Sequence, residues 1–364
     1  MSDISVKKFF LGSHTCTGFF SLFNKLYDPK NGWYCYILKG GPGTGKSTLM
    51  KKIASAAETK YAKIELIYCS SDPNSLDAVI IPEIKTCIAD GTAPHVLEPK
   101  YPGASEKIIN LGEYWNDGKL QKNSKILMDL FEKNKNYHEK TAQFLKSLGE
   151  IKKSANRILD DCIEHKRLNE FIERFLKSTF GSKKIEKTEI EKVRFLDAIT
   201  PSGHMFFEDS IADKVDNIYI IEDKYDAVSN EFLQKIRSEA ITQNLGFVSC
   251  LSPFSPATNL RAIHIPALSA SFMAKNPKIE PHAFNSFKNA KKINATKFLN
   301  SASLNSHKNL LGLHEKASSA LLDEAIKNLS HALDVHDEIE KFYISSMNHR
   351  KIDKTADKLI SAIL

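Results

Sequence analysis

The segment Gly40-Gly41-Pro42-Gly43-Thr44-Gly45-Lys46-Ser47 carries the residue types and spacing with the clearest chemical meaning in this chain. Glycines let the main chain wrap closely around an anion, so that successive N–H groups and the positive end of a following helix point at it. A lysine near the end of such a loop reaches the outer phosphates of a polyphosphate, and the hydroxyl after it ligates Mg²⁺. The eight residues fit GxxxxGK[ST] in full. The pattern assigns Gly41, Pro42, Gly43, Thr44, Gly45, Lys46, Ser47 and Thr48 to polyphosphate binding, Lys46 also to catalysis and Ser47 to the metal. A buried lysine with no anion would be costly, which weighs against a loop that binds nothing.

Such a loop works only between a strand and a helix. Trp33 to Leu38 is an aromatic and β-branched run of strand length, and Ser47 to Ala54 has helical spacing of Leu49, Met50 and Ile53. Two further apolar runs, Ile64 to Cys69 and Ala78 to Pro82, lead to the segment Thr86 to Thr92. Open α/β sheets place ligand groups just beyond the carboxyl ends of strands, where Asp72 and Asp90 would sit. Asp90 is the preferred Mg²⁺ carboxylate and second catalytic candidate, because it ends an apolar strand and precedes a glycine. Asp72 has the alternative of closing a turn. His14 and His95 lie in turn-rich segments that could approach the same place, although a lone loop histidine is more often solvated.

The chain repeats itself. Phe10-Leu11 and Thr15-x-x-Gly18 recur as Phe195-Leu196 and Thr200-x-x-Gly203, Tyr36-Ile37 as Tyr219-Ile220, Lys52-Ile53-x-Ser55 as Lys235-Ile236-x-Ser238, and Ile81-Pro82 as Ile265-Pro266. Cys69 matches Cys250 and His165 matches His349; all these offsets lie between 181 and 185 residues. Two α/β halves in tandem are therefore expected, 1–187 and 188–364, with a seam at 181–187, each a mostly parallel sheet flanked by helices. Each half ends in a helical extension, about 120–180 and about 305–364, whose i, i+3, i+4 apolar stripes are read as helical hairpins packed on or between the halves. At an offset of 183, GGPGTGKS faces Asp223 to Asn230, which has no glycine and puts Ser229 opposite Lys46, while Asp90, at an offset of 184, faces Ala274. Half two has thus lost the loop and its metal candidate together. A rival reading takes Ile218 to Asp223 as a distant acidic strand serving the first loop, but the repeat register makes it the counterpart of the strand that enters the loop.

Composition narrows the function classes. Hydrophobic residues make up 42% of the chain and charged residues 26%, enough to bury a core. No stretch reaches the length of a membrane span and the first residues lack a cleavable leader pattern, so a protein of the cytoplasm is expected. The six cysteines are scattered without CxxC or Cys/His clusters, which speaks against a disulfide framework or a structural zinc. The net charge of +7 comes largely from lysines interleaved with acids in helical stretches, so a nucleic-acid partner is not expected. All seven arginines lie at or beyond Arg157. Any arginine that stabilises a transferring phosphoryl group must therefore come from a helical extension, from half two or from another molecule, and Arg261 is the first choice.

The strings GGPGTGKSTLMKKIA, CSSDPNSLDAVIIPE (69–83) and ADGTAPHVLEPKYPGASEKIINLGEYW (89–115) resemble a family of two-halved (tandem) P-loop ATPases of Gram-positive, clostridium-like bacteria. The resemblance covers nearly the whole chain and implies a fold that binds a nucleoside triphosphate, with no established second substrate or protein partner. In some members the second half keeps a P-loop of its own, a pattern from which residues 223–230 depart. The expected function is Mg²⁺-dependent ATP binding and hydrolysis at one site in half one. A small-molecule or nucleotide kinase and a nucleotide-gated binding module with negligible turnover are the alternatives. ATP is preferred over GTP because the nearest match to a guanine-reading Asn-Lys-x-Asp, residues 24–28, has the wrong spacing.

Overall fold

Alternating apolar runs and glycine-marked turns build the first half in the order β1 (Ser5–Phe10), β2 (Gly12–Thr15), β3 (Gly18–Ser21), β4 (Tyr34–Lys39), α1 (Lys46–Glu58), β5 (Lys63–Tyr68), β6 (Leu76–Ile81), β7 (Thr86–Asp90) and β8 (Glu106–Asn110). Three helices follow, α2 (Asp117–Lys122), α3 (Ser124–Asp160) and α4 (His165–Phe180). The computed structural model describes residues 5–181 and 191–364, so residues 182–187 of the expected seam lie outside the described residues. The second half repeats the series: β9 (Glu191–Arg194), β10 (Asp197–Thr200), β11 (Gly203–Phe206), a short α5 (Asp209–Ala212), β12 (Asn217–Glu222), α6 (Ser229–Thr242), β13 (Phe247–Leu251), β14 (Leu260–Ile265), β15 (Ala270–Lys275) and β16 (Lys291–Asn294). It closes with α7 (Ser301–Ser306), α8 (Lys308–Ile344) and α9 (His349–Ile363).

The sheets are two six-stranded copies of one topology, β1-β5-β6-β7-β4-β8 and β9-β13-β14-β15-β12-β16. In each, one strand (β6 or β14) runs antiparallel to its neighbours and the rest are parallel. Registers match position by position: Leu38 pairs with Asp90 as Ile221 pairs with Ala274. Strand β12 is thus the counterpart of β4, and the rival reading of Ile218 to Asp223 falls away. The two copies meet about a pseudo-twofold. Phe10 and Phe195, equivalent by sequence, exchange both main-chain hydrogen bonds at 2.9 Å. The inner faces of both sheets, among them Ile37, Ile67 and Ala89 of one and Ile220, Ala262 and Met273 of the other, share one buried cluster.

The helical extensions depart from the expected hairpins. Helix α3 does not turn back along α4; it runs beside α8 of the other half, both 37 residues long. Leu127 meets Val335 and Ile339, the Asn134 amide donates to the Ala332 carbonyl at 2.7 Å, and Leu145 meets Ala325 and Leu329, so the pair is antiparallel. An apolar stripe of that length needs a partner of equal length, and the 16-residue α4 cannot supply one. The short helices then exchange halves. Leu168 and Ile172 of α4 pack with Phe232 and Ile236 of α6, while Ala356 and Leu359 of α9 pack with Leu49 and Ile53 of α1. The crossings are latched by equivalent main-chain bonds, Asn116 to Ser346 at 2.9 Å and Asn300 to Cys162 at 2.8 Å. Six free cysteines are found, and no helix among the described residues is long and apolar enough to cross a membrane.

Leu168 belongs to half one by sequence but is fully buried among side chains of half two. Leu168→Ala should cost about 2–5 kcal/mol of local stability. Amide exchange should quicken in α6 and β12–β15 and stay slow in β4–β7; faster exchange confined to half one would contradict the helix exchange.

Candidate functional site

Strand β4 delivers the chain into the glycine-rich loop, and α1 begins at Lys46. Gly43 and Gly45 take φ of +65° and +84°, left-handed values that a side chain would strain. Lys46 folds back over the loop, its Nζ donating to the carbonyls of Gly40 at 2.8 Å and Gly41 at 2.9 Å. Thr44 Oγ1 donates to the same Gly41 oxygen at 2.8 Å. The parallel neighbour β7 ends at Asp90, whose Oδ2 lies 3.6 Å from Lys46 Nζ. Its Oδ1 accepts from the main chain and hydroxyl of Thr92 at 2.8 and 2.6 Å, which fixes the carboxylate. Ser47 Oγ accepts from the Leu76 amide at 3.0 Å, and Thr48 is exposed on the first turn of α1. The structure therefore brings Lys46, Ser47 and Asp90 to one end of the sheet.

Asp72 is held in the turn that leads to Leu76, whose amide meets Ser47. It closes the β5–β6 turn, accepting from the Asn74 amide at 3.1 Å and from the Ser75 hydroxyl. A different carboxylate enters the site. Because β6 is antiparallel, it starts where β7 ends, and the Ala78–Ala89 pairing brings Asp77 alongside Asp90. Burial pushes the Asp77 carboxyl up to about 6, opposed by His95, reinforced by Asp90 and opposed by Lys46. His95 Nε2 stands 3.7 Å from Asp77 Oδ1. Its ring stacks on Phe23 at 4.2 Å, and neither ring nitrogen has a hydrogen-bond partner among the described residues. His14 is held elsewhere, against Ser71 Oγ at 3.0 Å and stacked on His138. Burial pulls its pKa down to about 3, so it is neutral near neutral pH.

The equivalent place in half two shows what the loop does without its glycines. Asp223 turns inward, and its Oδ2 accepts from the amides of Val228 at 2.7 Å and Ser229 at 2.8 Å. A carboxylate of the chain thus sits at the head of α6 where a bound anion would sit at the head of α1. The whole side-chain set is exchanged: Lys46 for Ser229, Asp90 for Ala274 and Asp77 for Arg261. Glu280 takes the place of His95. Arg261 is consequently not poised over residues 40–48. It is buried in half two, paired with Glu280 and lying 3.4 Å from Asp197, with its guanidinium over Phe206 and Phe284. Arg350 is exposed on the first turn of α9, two residues before Ile352, whose methyl group would lie 3.6 Å from a Cβ on Gly45, and that spacing puts the two side chains on different sides of the helix.

The last turns of α8, from the other half, cover the loop. Glu340 Oε1 accepts from the Gly43 amide at 3.0 Å and lies 3.5 Å from His336 Nε2. A Cβ on Gly43 would stand 2.9 Å from the Glu340 carbonyl oxygen, and one on Gly41 2.9 Å from the Tyr343 ring. His336, the Gly43 amide and Lys46 together hold the Glu340 carboxyl below the usual range. A polar cavity lined by Lys25, Lys30, Trp33, Lys100 and Arg194 lies at the opposite end of β4 and includes none of these residues. Comparison with protein-family models, curated proteins and solved structures finds no match for this chain.

Asp77 gives a pH signature. Its folded pKa of about 6 exceeds the unfolded value of about 3.9, so its contribution to stability is present below about pH 4 and is lost as pH rises through 6. Relative to wild type, Asp77→Asn should gain stability between pH 4 and 7, on the order of 3 kcal/mol at most, as read by urea unfolding across pH. A stability difference that does not change with pH would show that Asp77 is not held in this way.

Proposed function

We propose that residues 40–48 form a P-loop site that binds Mg·ATP, and that half one hydrolyses it at this single site. The carrying observation is the complete glycine-rich loop between β4 and α1, with Lys46 folded over it and Asp90 on the adjacent parallel strand 3.6 Å away. In this reading the loop amides and the head of α1 hold the phosphates, and Lys46 leaves the Gly40 and Gly41 carbonyls to reach the β- and γ-oxygens. Ser47 Oγ and Asp90 are hard oxygen donors of the kind Mg²⁺ takes, one or two from protein with phosphates and water completing the shell. Mg²⁺ supplies charge neutralisation for the transferring phosphoryl group. Asp77, beside Asp90 and with its pKa near neutrality, is suited to take the proton of the attacking water, with His95 alongside.

A nucleotide-gated switch with slow turnover is the second reading, favoured by the cover that α8 lays on the loop. Phosphate release from Mg·ATP, measured with and without candidate acceptors, separates hydrolase, kinase and binder.

Lys46→Ala should remove most of the affinity for Mg·ATP in calorimetry; equal affinity in both proteins would remove the site assignment. Asp90→Asn should raise the Mg²⁺ concentration needed for binding or turnover, with Asp72→Asn little changed, and the reverse order would exchange their roles.

A further inference from the structure

Resting on the nucleotide site proposed above, we infer that Glu340 is an in-cis anion that closes the loop of half one, and that Mg·ATP must displace it and shift the C-terminal end of α8. The amide that Glu340 occupies belongs to Gly43, in the middle of the loop. An N–H donor used by a side-chain carboxylate is not free for a phosphate oxygen, and a carboxylate cannot stay beside a triphosphate without strong like-charge repulsion. Asp337, one turn back on α8, adds negative charge on the same side.

The two halves show two grades of the same device. In half two the anion is Asp223, on the loop itself, and the other helix is tied down by Lys152 of α3 reaching Asp226 at 2.9 Å. Half one keeps its glycines and takes its anion from a helix that belongs to the other half. The repeat position of Lys152 is occupied on α8 by His336, which faces Glu340 on its own helix and leaves the loop without such a tie. The end of α8 over half two is anchored by the Lys278–Glu315 ion pair. Displacement therefore acts on the other end, where Tyr343 touches Trp115 at 5.7 Å and α9 departs toward α1. Nucleotide occupancy would thus be read out as a movement of the α8–α9 corner.

The test uses the full chain and Mg²⁺ with a non-hydrolysable ATP analogue. Affinity is measured by calorimetry for wild type, Glu340→Gln, Glu340→Ala and Lys46→Ala, with amide exchange over residues 337–347 in wild type. Both Glu340 variants should bind about tenfold tighter than wild type, and in wild type the analogue should speed exchange over the last turns of α8. Clear binding with the same affinity in wild type and both variants would overturn the displacement while leaving the nucleotide site standing. Weaker binding in both variants would also overturn it, since Glu340 would then assist the ligand. Absence of binding in wild type and both variants would overturn the nucleotide site and this inference together.

Discussion

Main-chain N–H groups exposed at the head of a helix must be given an acceptor, and in this protein that requirement organises both halves. Half two meets it permanently. Asp223 reaches the amides of Val228 and Ser229 from within the same loop, after which no glycine is required, and a lysine would have no anion to serve. Half one meets it with open glycine backbone, a lysine held on carbonyls of its own loop and a carboxylate supplied by another element. Because the anion of half two cannot leave, the surrounding residues were free to change. Arg261 and Glu280 form a buried ion pair and Ala274 stands at the Asp90 register, where half one keeps Asp90, Asp77 and His95.

Reciprocal pairing explains why the lending element comes from the other half. Phe10 and Phe195 close the pseudo-twofold through their main chains, α3 and α8 lie antiparallel, and each short terminal helix crosses to the opposite sheet. The loop of half one is therefore covered by α8 and flanked by α9, both beyond residue 300. A fragment ending near residue 187 would keep the loop and lose both, leaving Leu49, Ile53 and their neighbours without the apolar partners Ala356 and Leu359. Whatever half one does, it does with half two as part of its structure.

Much of this was legible in the residues, for identifiable reasons. The loop has a spacing that survives without context, and the repeat offsets of 183 and 184 reproduce the observed registers of β4 with β12 and of β7 with β15. Asp90 could be placed because it follows a parallel strand. Asp77 could not, since a carboxylate opening a strand reaches the same end of a sheet only when that strand is antiparallel, and SLDAVII looks the same in either direction. Glu340 and His336 lie on a long amphipathic helix nearly 300 residues from Gly43, where charges on the polar face look like any solvated face. The helix exchange was hidden for a related reason: an apolar stripe states that a partner exists without stating which half supplies it. Arg261 looked free because its partners, Asp197 and Glu280, are far from it in sequence or across a turn.

A crystal structure of the full chain with Mg²⁺ and a non-hydrolysable ATP analogue addresses the central claim most directly. The account predicts phosphate oxygens within hydrogen-bond reach of the Gly43 amide and Lys46 Nζ, the metal between Ser47 and Asp90, and Glu340 withdrawn from the loop. A nucleotide seated elsewhere, with Glu340 still on Gly43 and Lys46 still on the carbonyls of Gly40 and Gly41, would contradict it.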